Sequence, residues 1–431
     1  MDPGLGRALR KAERAVTTGE EFRLWDRYLI IADDFTGAND TGVQLRRRGI
    51  PTEVVFAGKP IGSDEASIVI DTESRTILSE TAGKIVRNAL KGVDFSPFKY
   101  VMKKIDSSIR GNIVEETKAV LEYFKPEIIV CAPALPVLGR TTVRGIQLLN
   151  GVRILDTEVA IDPINPVIDD DLVSILGKIC GEKPTLKTLD DVRSDGFNLE
   201  GGKAFVCDAE TNADLSAIVA ATIKTGKKAL YIGTAGIAES IMDVEHPVLP
   251  AFAVVASVSS VTNKQMQHCG RNGAVLIQVP IGKILTGEVK ADELGEKALA
   301  SLERGDDTIL LTDTAYDRST LKDSLEAFGK LGLSAIEAGE KVRTIMGELA
   351  LGVLERTKVS GVFLSGGDTA LGLMRKLGAE GADILSEAIT GIPLTRVHGG
   401  KFHGLKLATK AGAYGNEDAV SLVMRKLKET I

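Results

Sequence analysis

The sequence has only four cysteines in 431 residues, and no two of them form a C-x-x-C pair. Few and scattered thiols exclude a disulfide-stapled scaffold and a cysteine-based zinc site. No secretory leader precedes the first strand-like segment, so we expect a reducing, cytoplasmic location. The thiols, which we expect to be buried as small apolar groups, are those of Cys131, Cys180, Cys207 and Cys269.

Long apolar runs and a basic charge balance are also missing. No apolar segment reaches the roughly 18 residues that a membrane-spanning helix needs. The formal net charge is −6, whereas a nucleic-acid-binding domain needs a basic face. The four histidines offer no usual pair of metal ligands, because the gap in H-G-G-K-F-H, residues 398–403, suits none. We therefore expect no membrane partner, no nucleic-acid partner and no protein-bound metal.

The apolar pattern predicts an α/β protein. Short runs rich in Val and Ile alternate with longer helical patterns, which is typical of mainly parallel sheets flanked by helices. Pro247 and Pro250 disfavour regular structure and mark the best domain boundary. We predict an N-terminal extension at 1–27 and two domains, 28–246 and 250–431, with a cleft between them. Segment 181–202 should be a surface excursion, and the strands should lie at 28–32, 52–56, 67–70, 99–103, 127–131, 203–207, 228–232, 252–256, 274–278, 307–311, 361–364 and 404–409.

Two adjacent carboxylates follow the first predicted strand, in the stretch I-I-A-D-D-F-T-G-A-N-D. Asp33 and Asp34 repel each other unless a positive group or a donor-rich ligand lies opposite them. Ligands of open α/β sheets bind at the carboxyl ends of strands, so these carboxylates could accept hydrogen bonds from ligand hydroxyls. The alternative is that they only cap a helix N-terminus, where carboxylates are favoured.

Two further loops of the first domain place charged side chains after predicted strands. D-T-E-S-R ends in Arg75, which could hold a carboxylate through two parallel hydrogen bonds or pair with a neighbouring acid at the surface. K-K-I-D-S-S-I-R-G-N interleaves donors and acceptors, which suits a small ligand with an acid group and hydroxyls. The candidate side chains of that loop are Lys104, Asp106, Ser107, Ser108 and Arg110.

The second domain carries glycine-rich turns. In S-G-G-D-T-A, two glycines open a backbone whose N–H groups can face an anion, and Asp368 or Thr369 is predicted to cap the following helix. The segments 254–262 and 408–416 add hydroxyls, a lysine and more glycines. No G-x-x-x-x-G-K-[ST] motif and no G-x-G-x-x-G after the first strand are present, so neither a P-loop nor a dinucleotide fingerprint is expected.

Taken in order, these motifs resemble the four-carbon acid sugar kinase family. They are D-D-F-T-G-A-N-D-T-G, D-T-E-S-R, K-K-I-D-S-S-I-R-G-N, A-P-A-L-P-V-L-G-R, S-G-G-D-T-A-L-G-L and T-K-A-G-A-Y-G, spread over residues 28–428. The resemblance implies a sugar-acid-binding domain followed by a nucleotide-binding domain. It implies ATP-dependent phosphorylation of the terminal 4-hydroxyl of a four-carbon sugar acid. The third motif looks more like threonate and erythronate kinases than 3-oxo-tetronate kinases.

The resemblance also implies the site residues. Arg75 or Arg110 would take the acid's carboxylate, Mg²⁺ would arrive bound to ATP, and Asp106, before Asp33, is our first choice to accept the hydroxyl proton. Ala256 stands where the family has a glycine. The implied substrate contacts are Asp33, Asp34, Arg75, Lys104, Asp106, Ser107, Ser108 and Arg110; the implied nucleotide contacts are Ser257, Gly366, Gly367, Asp368, Thr369, Lys410, Gly412 and Gly415.

Other functions stay open at this point. One alternative is a 3-oxo-tetronate 4-kinase, and another, of a different class, is a sensor that binds nucleotide and sugar acid without turnover. A dehydrogenase is disfavoured because the dinucleotide fingerprint is missing. A homodimer is one assembly open to such a chain.

Overall fold

The computed structural model describes residues 26–61 and 65–430, apart from the side chain of Asp368. The described residues form two compact units, the first ending at Pro247 and the second running from Val248 to Thr430. Nearly all of the predicted N-terminal extension, residues 1–27, lies outside the described residues. Within the described ranges, no helix combines the length and the apolar character needed to cross a bilayer.

The described part of the first unit contains an eight-stranded, fully parallel sheet and a three-stranded antiparallel sheet. The order of the large sheet is β2-β3-β1-β4-β11-β5-β10-β9, and the small one is β6-β7-β8. The strands, numbered along the chain, are β1 Tyr28–Ala32, β2 Thr52–Phe56, β3 Ser67–Asp71, β4 Tyr100–Lys104, β5 Ile128–Ala132, β6 Arg140–Val143, β7 Ile146–Leu149, β8 Val152–Arg153, β9 Thr185–Lys187, β10 Ala204–Cys207 and β11 Ala229–Gly233.

Helices cover both faces of this sheet. Because alternate residues of a strand point to opposite faces, Ile30 of β1 packs in one core with Leu45, while its neighbour Ile31 packs in the other core with Val120. Strands buried on both faces therefore read as unbroken apolar runs. The α-helices are Phe35–Arg46, Ser79–Leu90, Ile113–Tyr123, Leu172–Cys180, Leu189–Val192, Asn212–Lys224 and Ala235–Glu245, with 3₁₀ turns at Pro136–Leu138, Ile154–Asp156 and Glu158–Ile161.

The second unit has a mixed sheet of seven strands in its described residues, in the order β13-β14-β12-β15-β18-β17-β16. The first five of these are parallel, and β17 and β16 form an antiparallel hairpin at one edge. The strands are β12 Ala251–Val255, β13 Val275–Val279, β14 Thr308–Thr312, β15 Gly361–Ser365, β16 Gly381–Ile389, β17 Ile392–His398 and β18 Lys406–Lys410. The helices are Ser260–Arg271, Ile281–Leu285, Ala291–Glu303, Asp313–Tyr316, Leu321–Lys330, Ala335–Leu354, Gly367–Lys376 and Ala419–Leu427, with a 3₁₀ turn at Arg318–Thr320.

The predicted fold class is confirmed, since each unit is built on a mainly parallel sheet flanked by helices. All twelve predicted strands are present, displaced by at most two residues. The prediction was incomplete for 181–202, a mostly exposed segment that also supplies the edge strand β9 and the helix Leu189–Val192. It also missed β6 to β8 and the hairpin β16-β17. These strands are short or lie at an edge, where exposed polar residues break the apolar run.

Candidate active site

The carboxyl edge of the first sheet gathers the polar loops. In the order β3-β1-β4 these three strands are direct neighbours, and all run parallel. The loops that follow them are therefore adjacent as well. They carry Arg75 after β3, Asp33 and Asp34 after β1, and the segment from Ile105 to Asn112 after β4.

Arg75 is the partner of the two adjacent carboxylates. Its guanidinium donates from Nε to Asp33 Oδ2 at 2.8 Å and from Nη2 to Asp33 Oδ1 at 2.9 Å. It also donates from Nη1 to Asp34 Oδ2 at 2.9 Å and from Nη2 to Asp34 Oδ1 at 2.6 Å. Asp33 is only 1% exposed. Arg75, after β3, therefore pairs with Asp33 and Asp34, after the neighbouring strand β1. It does not form the alternative surface pair with an acid of its own loop.

Asp34 and Lys104 meet at the start of the helix Phe35–Arg46. Asp34 is the N-cap, and its Oδ1 accepts a hydrogen bond from the Gly37 amide at 2.9 Å. A β-carbon at Gly37 would lie 2.5 Å from that oxygen and 2.7 Å from Lys104 Nζ, so glycine lets the ammonium approach the helix. Lys104 is buried, donates to the Ile105 carbonyl at 3.1 Å and lies 3.9 Å from Asp40 Oδ1.

Asp106 forms a third carboxylate beside Arg75. Its Oδ2 accepts from Arg110 Nε at 2.9 Å and from the Ser108 amide at 3.2 Å, while its Oδ1 lies 4.0 Å from Arg75 Nη1. Burial opposes ionisation of Asp106, but the hydrogen bond from Arg110 and the charge of Arg75 together lower its pKa. Asp106 is thus held as an anion. Ser107 is half-buried, and Gln147 Nε2 donates to its carbonyl at 2.9 Å.

The geometry brings every predicted first-domain site residue to one edge of the sheet. Three carboxylates lie around one guanidinium, with Lys104 and Arg110 beside them. Such a cluster offers acceptors for hydroxyl groups and cationic donors for an acid group, within one small area.

The second unit has a corresponding cluster at the carboxyl ends of β12, β15 and β18, which are neighbours in its sheet. The amide of Gly366 donates to the Lys410 carbonyl at 3.0 Å, which joins the loops after β15 and β18. A β-carbon on Gly412 would lie 2.4 Å from Ser257 Oγ, so the loops after β18 and β12 also touch. The structure therefore brings three of the predicted glycine and serine loops together.

The loop after β15 presents an uncapped helix N-terminus. Gly366 occupies the N-cap position with φ of +108°, a conformation that favours glycine, and the helix starts at Gly367 with no side-chain cap. The prediction that Asp368 or Thr369 would be the cap was wrong, because both lie inside the helix. Thr369 is buried, and the side chain of Asp368 lies outside the described structure. The amides of this first turn can face an anion.

Lys410 is buried and engaged with its own loop. Its ammonium donates to the carbonyls of Ala411 at 3.0 Å and Gly412 at 2.9 Å, and burial lowers its pKa to about 8. Gly415, farther along the loop, has φ of +85° and would meet Ala419 Cβ at 2.7 Å if it carried a β-carbon. Lys410 thus orders the loop as well as placing a cation beside it.

Two residues that hold these loops were not predicted from the sequence. Gln265, fully buried on the helix Ser260–Arg271, donates from Nε2 to the carbonyls of Tyr414, Gly415 and Asn416 at 2.9, 3.2 and 2.8 Å. Thr262, one turn earlier, donates to the Gly412 carbonyl at 2.7 Å. The available signal was a pair of polar residues at i and i+3 on the helix that directly follows β12, the first strand of the unit.

No three His, Cys, Asp or Glu side chains converge as metal ligands in the ranges 26–61 and 65–430. Carboxylates at the first sheet edge are instead matched by arginine and lysine.

Comparison with known proteins assigns both units. The sugar-binding N-terminal domain family matches residues 28–241, and the nucleotide-binding C-terminal domain family matches residues 252–420. The D-threonate kinase of Salmonella typhimurium is 33% identical over 418 residues, which cover 93% of this chain and 98% of that protein. This chain belongs to the four-carbon acid sugar kinase family. The resemblance drawn from the ordered motifs is thereby confirmed.

Other members of the four-carbon acid sugar kinase family are more distant. The D-erythronate kinase of Heliobacterium modesticaldum is 28% identical, covering 91% of this chain and 94% of that protein. A 3-oxo-tetronate kinase of Pseudomonas savastanoi is 27% identical, covering 92% and 96%. A crystal structure from Bordetella bronchiseptica, described as a domain-swapped dimer with bound citrate, has a TM-score of 0.56 and 24% identity, covering 93% of this chain and 98% of that one. This last likeness shows the fold alone.

The two clusters fall one in each matched family. Arg75 and its three carboxylates lie within the sugar-binding match, and the loops at Ser257, Gly366 and Gly412 lie within the nucleotide-binding match.

Proposed function

We propose that this protein is an ATP-dependent kinase that phosphorylates the 4-hydroxyl of a four-carbon sugar acid, D-threonate or D-erythronate. The observation that carries the proposal is the cluster of three carboxylates around Arg75, flanked by Lys104 and Arg110. A polyhydroxylated acid needs acceptors for its hydroxyls and cations for its carboxylate, and this cluster has both. Kinship with a D-threonate kinase at 33% identity supports the choice of acid.

The contacts of Arg75 divide the roles further. Its guanidinium already serves Asp33 and Asp34, so we propose that it orients these two carboxylates towards the hydroxyls of the sugar acid. Arg110 bonds Asp162 at 3.3 Å and has a side chain that is 33% exposed. We therefore propose that Arg110, with Lys104, receives the acid's carboxylate through charge-assisted hydrogen bonds.

We propose that ATP binds the glycine and serine loops of the second unit. The uncapped amides from Gly367 onwards would hold phosphate oxygens, and Lys410 would add a positive charge beside them. Phosphoryl transfer asks mainly for positioning and charge neutralisation. The attacking hydroxyl must lose its proton, and we propose Asp106 as the acceptor.

We propose that Mg²⁺ enters this site as a partner of ATP. Because the described residues contain no cluster of three metal-ligating side chains, the protein could add no more than one or two carboxylates to the phosphate ligands, which is usual for Mg²⁺. Asp313 directly follows β14 and is one carboxylate at this edge of the second sheet that could contribute such a ligand. Bound Mg²⁺ would neutralise phosphate charge during transfer.

The deciding experiment is steady-state ADP release with ATP and each of D-threonate, D-erythronate and 3-oxo-tetronate. We expect the highest kcat/KM with D-threonate or D-erythronate. Preference for 3-oxo-tetronate would assign the protein to that activity instead. Tight binding of ATP and an acid without ADP release would show a sensor, not an enzyme.

A further inference from the structure

A fully buried ion pair lies beneath the first cluster and belongs to none of its proposed contacts. Lys103 Nζ lies 2.8 Å from Glu116 Oε2, and the two side chains are 0% and 1% exposed. Moving two charges out of water costs free energy that their mutual attraction repays only in part. A buried pair of this kind adds little to the stability of the fold. Its other contacts therefore indicate what else it does.

Glu116 reaches the loop that carries Arg75. Its second oxygen, Oε1, accepts a hydrogen bond from Ser74 Oγ at 2.7 Å. Ser74 Oγ lies 2.7 Å from Thr72 Oγ1, which in turn donates to the carbonyl of Ala32 at 2.7 Å. A series of close polar contacts therefore runs from Glu116 to Ser74, the residue before Arg75, and on to Ala32, the residue before Asp33.

Lys103 reaches the other two strands of the cluster. Its ammonium donates to the Lys104 carbonyl at 2.8 Å and points towards the Ile31 carbonyl at 3.5 Å. Neighbouring residues of a strand face opposite sides, so Lys103 projects towards the helix Ile113–Tyr123, which carries Glu116, while Lys104 faces the helix Phe35–Arg46. One buried pair thus contacts the ends of β1, β3 and β4.

The charge of Lys103 also acts on Asp33. Burial raises the pKa of Asp33, but Lys103, followed by Arg75 and Lys104, lowers it further than burial raises it. The charged groups near Asp33 are these three cations together with the carboxylates of Asp34 and Asp106. Among these three cations, Lys103 is the one that pairs with Glu116, on the face of the sheet covered by the helix Ile113–Tyr123.

We infer that the Lys103–Glu116 pair positions the sugar-acid site. It fixes the Arg75 loop and the Asp33 carboxylate relative to each other, and it does not contact the substrate itself. The inference rests on the proposed function, since it assigns the first cluster to the acid. Glu116 is a positioning residue because its side chain contacts the cluster through Ser74 and Lys103.

The main test is the double variant Lys103→Met/Glu116→Leu, which replaces the pair by apolar side chains of similar length. Such replacements often leave stability unchanged or improved. We expect KM for the sugar acid to rise by about tenfold or more, with KM for ATP within about twofold of the parent. We also expect the acidic limb of the kcat/KM profile to move to higher pH, because Asp33 loses the charge that favours its ionised form.

A readout without substrate separates this inference from the proposed function. Because the Arg75 Nε–H is bonded to Asp33, we expect it to exchange slowly with water, and NMR of arginine-labelled protein measures that exchange. We expect faster exchange in the double variant, whether or not the enzyme turns over a given acid. Parent protein that turns over no four-carbon acid would contradict the proposed function alone.

Two further variants complete the experiment. Arg193→Met breaks a pair with Asp214, 2.8 Å away at another part of the unit, and should leave the acid KM and the Arg75 exchange unchanged. If the double variant does not fold, Ser74→Ala, which removes the bond from the Arg75 loop to Glu116 and keeps the ion pair, carries the expectations for acid KM and Arg75 exchange. An unchanged acid KM together with parent-like Arg75 exchange in the folded variant would overturn the inference.

Discussion

Arg75 donates two parallel hydrogen bonds to Asp33, from Nε to Oδ2 at 2.8 Å and from Nη2 to Oδ1 at 2.9 Å. The two residues stand 42 positions apart and meet because β3 lies beside β1. The backbone supports the pair, since the amide of Arg75 also donates to the Asp33 carbonyl at 3.1 Å. The planar guanidinium of Arg75 therefore fixes the orientation of the Asp33 carboxylate through two hydrogen bonds.

Arg75→Lys tests that geometry, because it keeps the charge and removes the fork. Charge-assisted bonds contribute roughly 1.5–3 kcal/mol each, so we expect KM for the sugar acid to rise about tenfold or more while KM for ATP barely changes. Arg87→Lys is the matched control, since Arg87 makes the same kind of forked pair with Glu122 at an exposed position. An acid KM that moves less than about threefold, or ~0.6 kcal/mol, would show that Arg75 does not organise the acid site.

Gly111→Ala tests how closely the second loop approaches Arg75. Gly111 has φ of +96°, and its β-carbon would lie 2.9 Å from Arg75 Cγ. Gly92 has φ of +83° with open space around it, so Gly92→Ala carries similar backbone strain, about 1 kcal/mol, without the contact. We expect both variants to lose a few degrees of Tm and only Gly111→Ala to lose about tenfold in kcat/KM for the acid. Equal activities in the two variants would place Arg75 outside the acid site.

Gly367→Val tests the anion site in the second unit. Gly367 has open space where a β-carbon would stand and an ordinary φ, so the free protein does not need glycine there. We expect Tm to be unchanged while ATP affinity, measured by calorimetry, falls by about tenfold or more, because a branched side chain blocks close approach of phosphate. Gly366→Ala, at φ of +108°, should lower both Tm and ATP affinity. Normal ATP binding by Gly367→Val would mean that this turn holds no phosphate.

Asp71 makes the stability depend on pH. It is buried at the end of β3, its Oδ1 accepts from the Glu73 amide at 3.1 Å, and its Oδ2 has no hydrogen-bond partner within the described structure. Burial is the main cause that raises its pKa to about 6. The folded state thus binds this proton more tightly than the unfolded state, and the Asp71 contribution to stability falls as pH rises from about 4 to 6.

Asp71→Asn should therefore raise Tm at pH near 8, because the amide still accepts the bond from Glu73 and carries no charge. At pH near 4 the gain should be smaller or absent, since Asp71 is then largely protonated in the folded state. Asp94→Asn is the control: Asp94 accepts the same type of bond from the Ser96 amide at 2.9 Å, but it is exposed and its pKa is lowered. A Tm of Asp71→Asn that is no higher than that of the parent near pH 8 would contradict this account.

The sequence predicted twelve strands of the two large sheets, because strands buried on both faces appear as short apolar runs with polar ends. It could not predict the pairing of Asp33 with Arg75, since an apolar run carries no information on which strand lies beside it. The three loops with the predicted substrate contacts follow three different strands of the first domain, and only the order β3-β1-β4 makes them one cluster. Motifs therefore located the site residues, while topology decided their partners.

One member of the buried Lys103–Glu116 pair could have been predicted from the sequence pattern. Glu116 lies on the same face of its helix as Ile113 and Val120, all of them buried. A carboxylate on an apolar face needs a partner. Identifying that partner as Lys103 again required the fold, because Lys103 and Lys104 are equivalent in composition and differ only in the face of β4 from which they project.

Asp106 and Asp33 are the two candidates for accepting the hydroxyl proton, and their surroundings differ. The pKa of each is lowered by neighbouring cations, so both are ionised at neutral pH. Both oxygens of Asp33 are bonded to Arg75 at 2.9 Å or less, whereas Oδ1 of Asp106 has only longer contacts, 3.3 Å to Arg110 Nη2 and 4.0 Å to Arg75 Nη1. We therefore expect Asp106→Asn to lower kcat by roughly 10²–10⁴ with small changes in both KM values, and Asp33→Asn mainly to raise the acid KM.

Steady-state kinetics of the two variants, measured side by side on the acid with the highest kcat/KM, decides between these roles. Loss of kcat in Asp33→Asn with a raised acid KM in Asp106→Asn would exchange them. Near-normal kcat in both variants would mean that no carboxylate of this cluster takes the proton. That result would be consistent with a loose phosphoryl-transfer transition state, which asks little of a base because bond formation to the attacking oxygen is slight when the leaving bond breaks. Catalysis would then depend on positioning and charge neutralisation, and within the first cluster the largest losses of kcat should appear in variants of Arg75, Lys104 and Arg110.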